Sequence, residues 1–279
     1  MTSLATCQLP DGAELGYCLY GDKRSGLPVV LLNGILMNYK SWGAQASAIS
    51  KQNPVLSYDL RGQLHSTWEA GGRTLESHAE DLCHLLRGLG IERCHLAGTS
   101  FGGEVGLAFT HRYPAMAASL TVIASVSYSD ALLKRQVGLW QALAGQPELL
   151  FEAVATTAYS PSYLYAQPHF LAQRKQAFAQ LPPLFFQAFE SLCEQFCAFH
   201  FPDTALSGIA CPALIVSAGA DLLKPSRYSR HIARQIPGAL YWEVPGAGHA
   251  VVAEQPQTIT QLICAFVERG ELPSENLVF

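Results

Sequence analysis

A G-T-S-F-G segment at residues 98–102 constrains this chain more strongly than any other feature of its sequence. The apolar residues 94–97 lead into the segment, and the helix-compatible residues 103–109 follow it. This order predicts a β-strand, a sharp turn at Ser100 and an α-helix. The flanking glycines lack a Cβ atom and let strand and helix approach closely, while the strained turn holds the serine hydroxyl clear of the sheet edge. The pattern therefore indicates a serine that is presented for nucleophilic chemistry.

An acid and a base follow two later predicted strands. Residues 211–217 form an apolar run that ends shortly before Asp221, and residues 239–244 form another that leads into a glycine-rich loop ending at His249. A serine nucleophile needs a base, and the base needs an acid to orient it. Because catalytic groups of open parallel sheets gather beyond the carboxyl ends of the strands, we expect the three side chains to lie at one sheet edge.

Five segments spread over nearly the whole chain resemble the α/β-hydrolase superfamily. They are P-V-V-L-L-N-G at residues 28–34, Y-D-L-R-G at 58–62, G-T-S-F-G-G at 98–103, G-A-D at 219–221 and G-A-G-H at 246–249. The order Ser, Asp, His along the chain is also that of the family. The resemblance implies that Ser100 is the nucleophile, His249 the general base and acid, and Asp221 the orienting carboxylate.

The resemblance also implies an oxyanion hole and leaves one competing acid. The hole is formed by the backbone N–H groups of Phe101 and Ile35, which would point at the developing negative charge. Some members of the family carry the carboxylate after an earlier strand, where this chain has Asp130. Asp221 fits its strand-end motif better.

Two positions depart from the pattern of the family. Asn33 stands where histidine is usual, and an asparagine amide can still brace the oxyanion loop by hydrogen bonds. Leu64 stands where glycine is usual in the segment after Arg61 and Gly62. We expect this bulkier segment to be turned differently and to narrow the mouth of the pocket.

The predicted elements divide the chain into three parts. In residues 1–126, strands and helices alternate, which predicts the first part of an α/β core with a parallel sheet and right-handed crossovers. In residues 127–206 the strand signal stops, and the resemblance implies a helical cap there. Alternation resumes in residues 207–279, the second part of the core. The predicted class is α/β: an α/β-hydrolase fold with a mostly parallel twisted sheet, flanking helices and an inserted helical cap.

Composition limits the partners and the location. The chain has 279 residues, of which 49% are hydrophobic and 14% charged, and its net charge is −4. No basic stripe appears, so nucleic acid is not expected as a partner. No apolar run reaches the roughly 18 residues that a membrane-spanning helix needs. The N-terminus shows no signal peptide, so we expect a cytoplasmic protein; the sequence does not indicate an oligomeric state.

No metal or cofactor is expected. The 8 cysteines are scattered, which in a chain of this size indicates reduced core thiols. Cys193, Cys197 and His200 share a helical spacing that can ligate a metal. Phenylalanines surround them, however, so we interpret the two cysteines as small apolar packing residues. The chemistry implied by the resemblance needs no cofactor.

Four aromatic or sulfur side chains are candidates for the acyl pocket. Met37 and Trp42 follow the oxyanion loop, and Phe185 and Phe189 lie in the predicted cap. Ligand sites are concave and mostly apolar, which favours these residues as pocket lining. The alternative is that the phenylalanines only pack the cap onto the core, and both roles can hold together.

The function implied by the resemblance is acyl transfer through Ser100. A hydrolase would cleave a small-molecule carboxylic ester, thioester or lactone with an apolar acyl group. Two alternatives stay open. Residues 30–37 also resemble acyltransferases that draw hydroxyacyl chains from acyl carrier protein, which would then be a partner. A receptor of the same fold could bind a ligand without turnover. Residues 274–279 resemble a protease-site tag remnant but fit a native tail equally well, and they do not enter the functional prediction.

Overall fold

The computed structural model describes residues 3–21, 26–68 and 73–272, so residues 274–279 lie outside it. A central sheet contains β1 (Ala5–Gln8), β2 (Glu14–Tyr20), β3 (Val29–Leu32), β4 (Val55–Tyr58), β5 (Cys94–Thr99), β6 (Ala117–Ile123), β7 (Ala213–Ala218) and β8 (Leu240–Val244). The order across the sheet is β1-β2-β4-β3-β5-β6-β7-β8. The β1–β2 and β2–β4 pairs are antiparallel and the remaining pairs are parallel. The predicted mostly parallel sheet is therefore confirmed.

Helices flank this sheet in the described part of the chain. They are α1 (Gly43–Ile49), α2 (Leu75–Gly88), α3 (Phe101–Arg112), α4 (Ala131–Ala142), α5 (Pro147–Ala158), α6 (Pro161–Ala166), α7 (Pro168–Ala179), α8 (Pro183–Ala198), α9 (Asp203–Ser207), α10 (Ser226–Gln235), α11 (Val251–Glu254) and α12 (Pro256–Arg269). None of these helices is both long enough and apolar enough to cross a bilayer.

The side chains of the central strands alternate between two apolar cores, one on each face of the sheet. In β3, Val30 and Leu32 belong to the core that includes α2 and α3. Val29 and Leu31 belong to the core that includes α1 and α12. Parallel sheets are buried on both faces, which explains why the central strands appear in the sequence as continuous apolar runs.

Helices α4 to α9 form a block between β6 and β7, where the sequence predicted only helix-compatible stretches. Within the block, α4 packs on α8 and α5 packs on α7. Phe189 and Phe196 of α8 share one core with Val105 of α3 and Val122 of β6. Continuous apolar packing therefore joins the helical block to the sheet.

A buried hydrogen bond also joins the block to the core. His78 of α2 is 1% exposed, and its Nε2 donates to Oε1 of Gln195 in α8 at 2.8 Å. The His78 ring lies edge-on to Phe101, the first residue of α3. Burial lowers the pKa of His78 to about 4, because a charged imidazolium would lose its hydration there.

This histidine predicts a pH dependence of stability. The unfolded chain protonates His78 near its ordinary value of 6.5, whereas the folded chain does so near 4. Stability is therefore complete above pH 6.5 and falls as the pH drops towards 4, because the unfolded state binds the extra proton. We expect a loss of about 3 kcal/mol, measured by urea unfolding at pH 7 and pH 4. The control is the His78→Asn variant, unfolded under the same two conditions. The free energy of unfolding of the wild type should exceed that of the variant by less at pH 4 than at pH 7. A difference of equal size at both pH values would contradict this assignment.

Candidate active site

Ser100 occupies a strained turn between β5 and α3. Its φ is 53° and its ψ is −121°, a left-handed region that residues with a side chain rarely adopt. A Cβ atom at Gly98 would overlap the carbonyl of Gly102, and one at Gly102 would overlap the carbonyl of Leu32. Glycine is therefore required at both positions for α3 to pack this close to the sheet. The hydroxyl of Ser125, in the loop after β6, donates to the Ser100 carbonyl at 2.7 Å and braces the turn.

Ser100, His249 and Asp221 form a hydrogen-bonded chain at the carboxyl edge of the sheet. His249 Nε2 lies 2.9 Å from Ser100 Oγ, and His249 Nδ1 lies 2.8 Å from Asp221 Oδ2. The other oxygen of Asp221 accepts the backbone N–H groups of Leu223 and Lys224 at 2.9 and 2.7 Å. A carboxylate only accepts hydrogen bonds, so Nδ1 carries the ring hydrogen and Nε2 is free to accept the serine proton.

Asp130, the competing acid, lies elsewhere. Its Oδ1 caps α4 by accepting the N–H of Leu133 at 2.9 Å, and its Oδ2 accepts the hydroxyl of Tyr228 at 2.6 Å. Both carboxylate oxygens are thus occupied by structural partners. Of the two candidate acids, only Asp221 contacts His249.

The loop that carries His249 is fixed to the helical block. The Glu254 carboxylate accepts the N–H of Gly248 at 3.0 Å and the N–H and hydroxyl of Ser160 at 2.7 Å each. The Ala250 N–H donates to the carbonyl of Ala158 at 2.7 Å. A Cβ at Gly248 would overlap the backbone N of Ser160, so this close approach requires glycine. The position of the imidazole thus depends on the end of α5 and the start of α6.

Asn33 and Gln63 hold the loop that contains Ile35. The Asn33 amide donates to the carbonyl of Tyr58 at 2.8 Å and to Gln63 Oε1 at 3.0 Å. Gln63 Nε2 then donates to the carbonyls of Gly34 and Ile35 at 2.8 and 3.3 Å. Asn33, which stands where histidine is usual, therefore acts together with Gln63. The two side chains fix the peptide that carries the Ile35 N–H.

Replacing Gln63 by leucine is expected to lower kcat by roughly 10- to 100-fold, with a smaller change in KM. The loss should be smaller than the 10²–10³ typical of losing an oxyanion donor itself, because the N–H group stays but is held less firmly. Steady-state kinetics with a p-nitrophenyl ester measure both constants. Gln141→Leu is the matched control, since Gln141 also donates to a backbone carbonyl, that of Glu190 at 3.2 Å, within the helical block. Equal effects of the two substitutions would contradict a role of Gln63 in the loop.

A cavity of about 380 Å³ opens above Ser100 and His249, between the sheet and the helical block. Ile35 and Met37 line it on the side of the loop that follows β3. Its apolar wall in the block is formed mainly by Val137, Trp140, Phe151, Val154, Phe178 and Phe196. The volume lies at the low end for small-molecule sites, and the lining is of the apolar kind that such sites show.

Three of the four predicted lining residues lie elsewhere. Met37 lines the cavity, but Trp42 is fully buried in the core beside α1 and α12. Phe189 is buried against the sheet, and Phe185 packs behind the wall, with its ring 5.9 Å from that of Phe178. Leu64, expected at the mouth, is 38% exposed and does not line the cavity. The sequence indicated aromatic pocket residues in the helical block but not which face of each helix meets the cavity.

Sequence reasoning missed a buried ion pair beside Ser100. Lys224 Nζ lies 2.5 Å from Oε1 of Glu104 and 3.1 Å from Ser100 Oγ. The side chains of Lys224 and Glu104 are 3% and 0% exposed. Glu104 lies one turn after Ser100 in α3, and Lys224 follows Asp221 by three residues. Glu104, the one charged residue in the first two turns of α3, is the signal that the sequence offers for this pair.

Cys193 and Cys197 of α8 carry free thiols. Burial raises the pKa of both thiols above the ordinary thiol value, as expected for cysteines that pack as small apolar side chains. Across residues 3–21, 26–68 and 73–272, no group of three or more His, Cys, Asp or Glu side chains is arranged to hold a metal ion.

Fold and site geometry agree with the comparisons to known proteins. The sequence profile of the alpha/beta hydrolase family matches residues 29–262. The chain belongs to this family and is a hydrolase of α/β fold.

Particular relatives are similar to this chain over nearly its whole length. A candidate carbamate hydrolase, RutD from Azorhizobium caulinodans, is 29% identical over 91% of this chain and 95% of its own. The α/β hydrolase MGS-M2 from a deep-sea metagenome library of the Medee basin has a TM-score of 0.89 and 28% identity, covering 98% of this chain and 100% of that one. The enol-lactonase from Burkholderia xenovorans has a TM-score of 0.86 and 26% identity, covering 94% and 99%.

Proposed function

We propose that this protein is a serine hydrolase that cleaves a carboxylic ester, thioester or lactone through an acyl-enzyme on Ser100. The observation that carries the proposal is the chain of hydrogen bonds from Ser100 Oγ through His249 to Asp221, at the floor of an apolar cavity. A serine with an oriented base in such a site is the arrangement used for acyl transfer. The hydrolase family and its lactonase neighbour support this chemistry.

In the first step, Ser100 Oγ attacks the substrate carbonyl while His249 Nε2 takes its proton. The carbonyl oxygen becomes an oxyanion and is stabilised by the N–H groups of Ile35 and Phe101. Phe101 is the first residue of α3, where a helical N–H has no partner within the helix. The imidazolium then gives its proton to the leaving oxygen or sulfur, and the acyl-enzyme remains.

In the second step, water attacks the acyl-enzyme and His249 acts again, first as base and then as acid. Asp221 keeps the imidazole in one tautomer and orientation and stabilises its charged form throughout. The acyl group is released as a carboxylic acid, and Ser100 recovers its proton. These steps need no cofactor.

The cavity favours small to medium apolar acyl groups. A volume of about 380 Å³ lined by aromatic and aliphatic side chains provides apolar surface for an acyl chain. The similarity to RutD makes carbamate a second candidate substrate. Carbamate has only a few heavy atoms, nearly all polar, and would leave most of this wall without contact. We therefore favour an ester or lactone.

We also propose that residues 127–206 act as a cap on a core formed by residues 1–126 and 207–279. The wall that this block contributes to the cavity supports that role. All eight cysteines carry free thiols, which is typical of a reducing compartment and supports a cytoplasmic location.

The test is a series of p-nitrophenyl esters from acetate to dodecanoate, measured beside a lactone and carbamate. We expect kcat/KM to peak at short to medium chains and to fall for dodecanoate. Turnover of carbamate alone would contradict the proposal. A carrier-linked alternative predicts that the acyl group moves to an added pantetheine thiol or an acyl carrier protein, rather than to water. Binding of ester without any turnover would identify a receptor instead.

A further inference from the structure

The ion pair of Lys224 and Glu104 contacts the nucleophile directly, although the acyl-transfer scheme does not use it. Lys224 follows β7, on the same loop as Asp221, and its ammonium reaches under Ser100 to Glu104 of α3. Both side chains are almost completely excluded from water. A buried ion pair is costly to desolvate and is not an efficient source of stability. Its place beside the reacting oxygen therefore calls for a chemical role.

The three N–H bonds of the ammonium have three neighbours. Glu104 Oε1 accepts at 2.5 Å, Ser100 Oγ accepts at 3.1 Å, and the face of the Phe196 ring lies 4.5 Å from Nζ. A protonated lysine has no lone pair, so it can only donate. Lys224 thus cannot replace His249 as the base, and Ser100 Oγ is its one contact among the reacting atoms.

We propose that Lys224 is a further catalytic residue, which donates a hydrogen bond to Ser100 Oγ and directs the serine hydrogen towards His249 Nε2. This inference rests on the proposed acyl-enzyme function. A hydroxyl has one hydrogen and two lone pairs. When Lys224 occupies a lone pair, the hydrogen is left to point at Nε2, the acceptor at 2.9 Å.

The same hydrogen bond strengthens when Oγ carries negative charge. During acylation the O–H bond breaks towards Nε2 while the Oγ–C bond forms, so charge builds on Oγ before the bond is complete. During deacylation the Oγ–C bond breaks, the electron pair returns to Oγ, and the proton comes back from Nε2. Hydrogen bonds to charged groups are stronger than those to neutral ones, so Lys224 lowers the barrier of both steps.

Glu104 is a positioning residue for Lys224 and balances its charge. Without the carboxylate, the ammonium would oppose the imidazolium that His249 must become. The charged or titratable groups facing this pair are His249 and Asp221, and the Ser125 hydroxyl also lies 3.3 Å from Glu104 Oε1. Burial raises the pKa of Glu104, and the nearby ammonium acts in the opposite direction.

The experiment compares pH profiles of kcat/KM for three proteins, using the best p-nitrophenyl ester. Glu104→Gln leaves the ammonium unbalanced, so we expect the acidic limb to move to lower pH by about half a unit to one unit. Lys224→Met with Glu104→Gln removes both charges. Here the limb should return to its wild-type position, while kcat/KM falls by about 10- to 100-fold. The matched control applies the same substitutions to the exposed pair Lys175 and Glu152, 2.8 Å apart, and should leave both values unchanged.

Loss of a buried ion pair can also lower activity by destabilising the fold. The position of the acidic limb of the pH profile separates the two effects, because it depends on the charge around His249 in the folded enzyme. Glu104→Gln is isosteric and gives its readout even if the double variant does not fold. An unmoved acidic limb in Glu104→Gln would overturn the proposal, as would a folded double variant within threefold of wild-type kcat/KM. Absence of ester turnover in the wild type, or full activity in Ser100→Ala, would instead contradict the proposed function itself.

Discussion

Replacing Ser100 by alanine is expected to lower kcat/KM for the best p-nitrophenyl ester by about 10⁵- to 10⁶-fold. The substitution removes the atom that forms the acyl-enzyme, and His249 then has no proton to accept. In the proposed mechanism the N–H groups of Ile35 and Phe101 remain to stabilise the oxyanion, and they account for the residual rate. Steady-state kinetics at high enzyme concentration, corrected for spontaneous hydrolysis, give this value.

The stability of Ser100→Ala should stay close to that of the wild type. The hydroxyl makes its hydrogen bonds to His249 and Lys224 at the floor of a cavity, whereas the strained backbone is held by hydrogen bonds of the Ser100 N–H and carbonyl to Ile123 and Ser125. Ser217→Ala is the control: Ser217 is buried beside Tyr241 at 2.6 Å, away from the cavity, and its loss should leave activity intact. Comparable activity of Ser100→Ala and the wild type would contradict the nucleophile assignment.

Replacing Asp221 by asparagine is expected to lower kcat by about 10⁴-fold. The N–H groups of Leu223 and Lys224 would hold the amide oxygen of the new side chain, so its NH₂ group would face His249 Nδ1. That group donates, which forces the ring hydrogen onto Nε2. In this tautomer Nε2 cannot accept the Ser100 proton. Single-turnover release of p-nitrophenol measures the loss in the chemical step.

Asp130→Asn is the matched control for the acid. It makes the same change from carboxylate to amide as Asp221→Asn, but at a side chain that caps α4 and accepts the hydroxyl of Tyr228. We expect activity to stay near the wild-type level and the free energy of unfolding to drop by about 1 kcal/mol, because the hydroxyl of Tyr228 loses a charged acceptor while asparagine caps a helix about as well as aspartate. A large loss of kcat in Asp130→Asn with little loss in Asp221→Asn would reverse the assignment of the acid.

The elements that cross the middle of the molecule could be predicted closely from the sequence. The apolar runs at residues 29–32 and 55–58 predict strands at the observed bounds of β3 and β4, and the residues between Ser100 and Pro114 predict α3 at 101–112. β3 and β4 are buried on both faces, so their apolar residues are continuous. α3 follows the glycine-rich turn, and its end is fixed by Pro114 two residues later.

Elements at the edges gave weaker signals. β1 is four residues long, pairs only with β2 and alternates between half-buried and exposed positions. Helix α10 buries only Tyr228, Ser229 and Ile232, so its sequence is mostly polar. Neither segment carries enough apolar surface to be recognised without its neighbours.

The site shows the same contrast between local and distant information. Ser100, Asp221 and His249 each follow a strand, and parallel strands end at one edge, so their proximity could be inferred from the chain alone. The contact of Lys224 with Glu104 joins residues 120 positions apart and depends on how α3 and the loop after β7 are placed. Which phenylalanines of α8 meet the cavity likewise depends on how that helix docks.

The most direct test of the central claim is mass spectrometry of the enzyme quenched with acid within milliseconds of mixing with a p-nitrophenyl ester. The account predicts a mass increase equal to the acyl group, located by digestion on the peptide that contains Ser100. The adduct should disappear with time as water resolves it and should be absent in Ser100→Ala. Turnover without any covalent intermediate, or an acyl group on a different residue, would contradict the account.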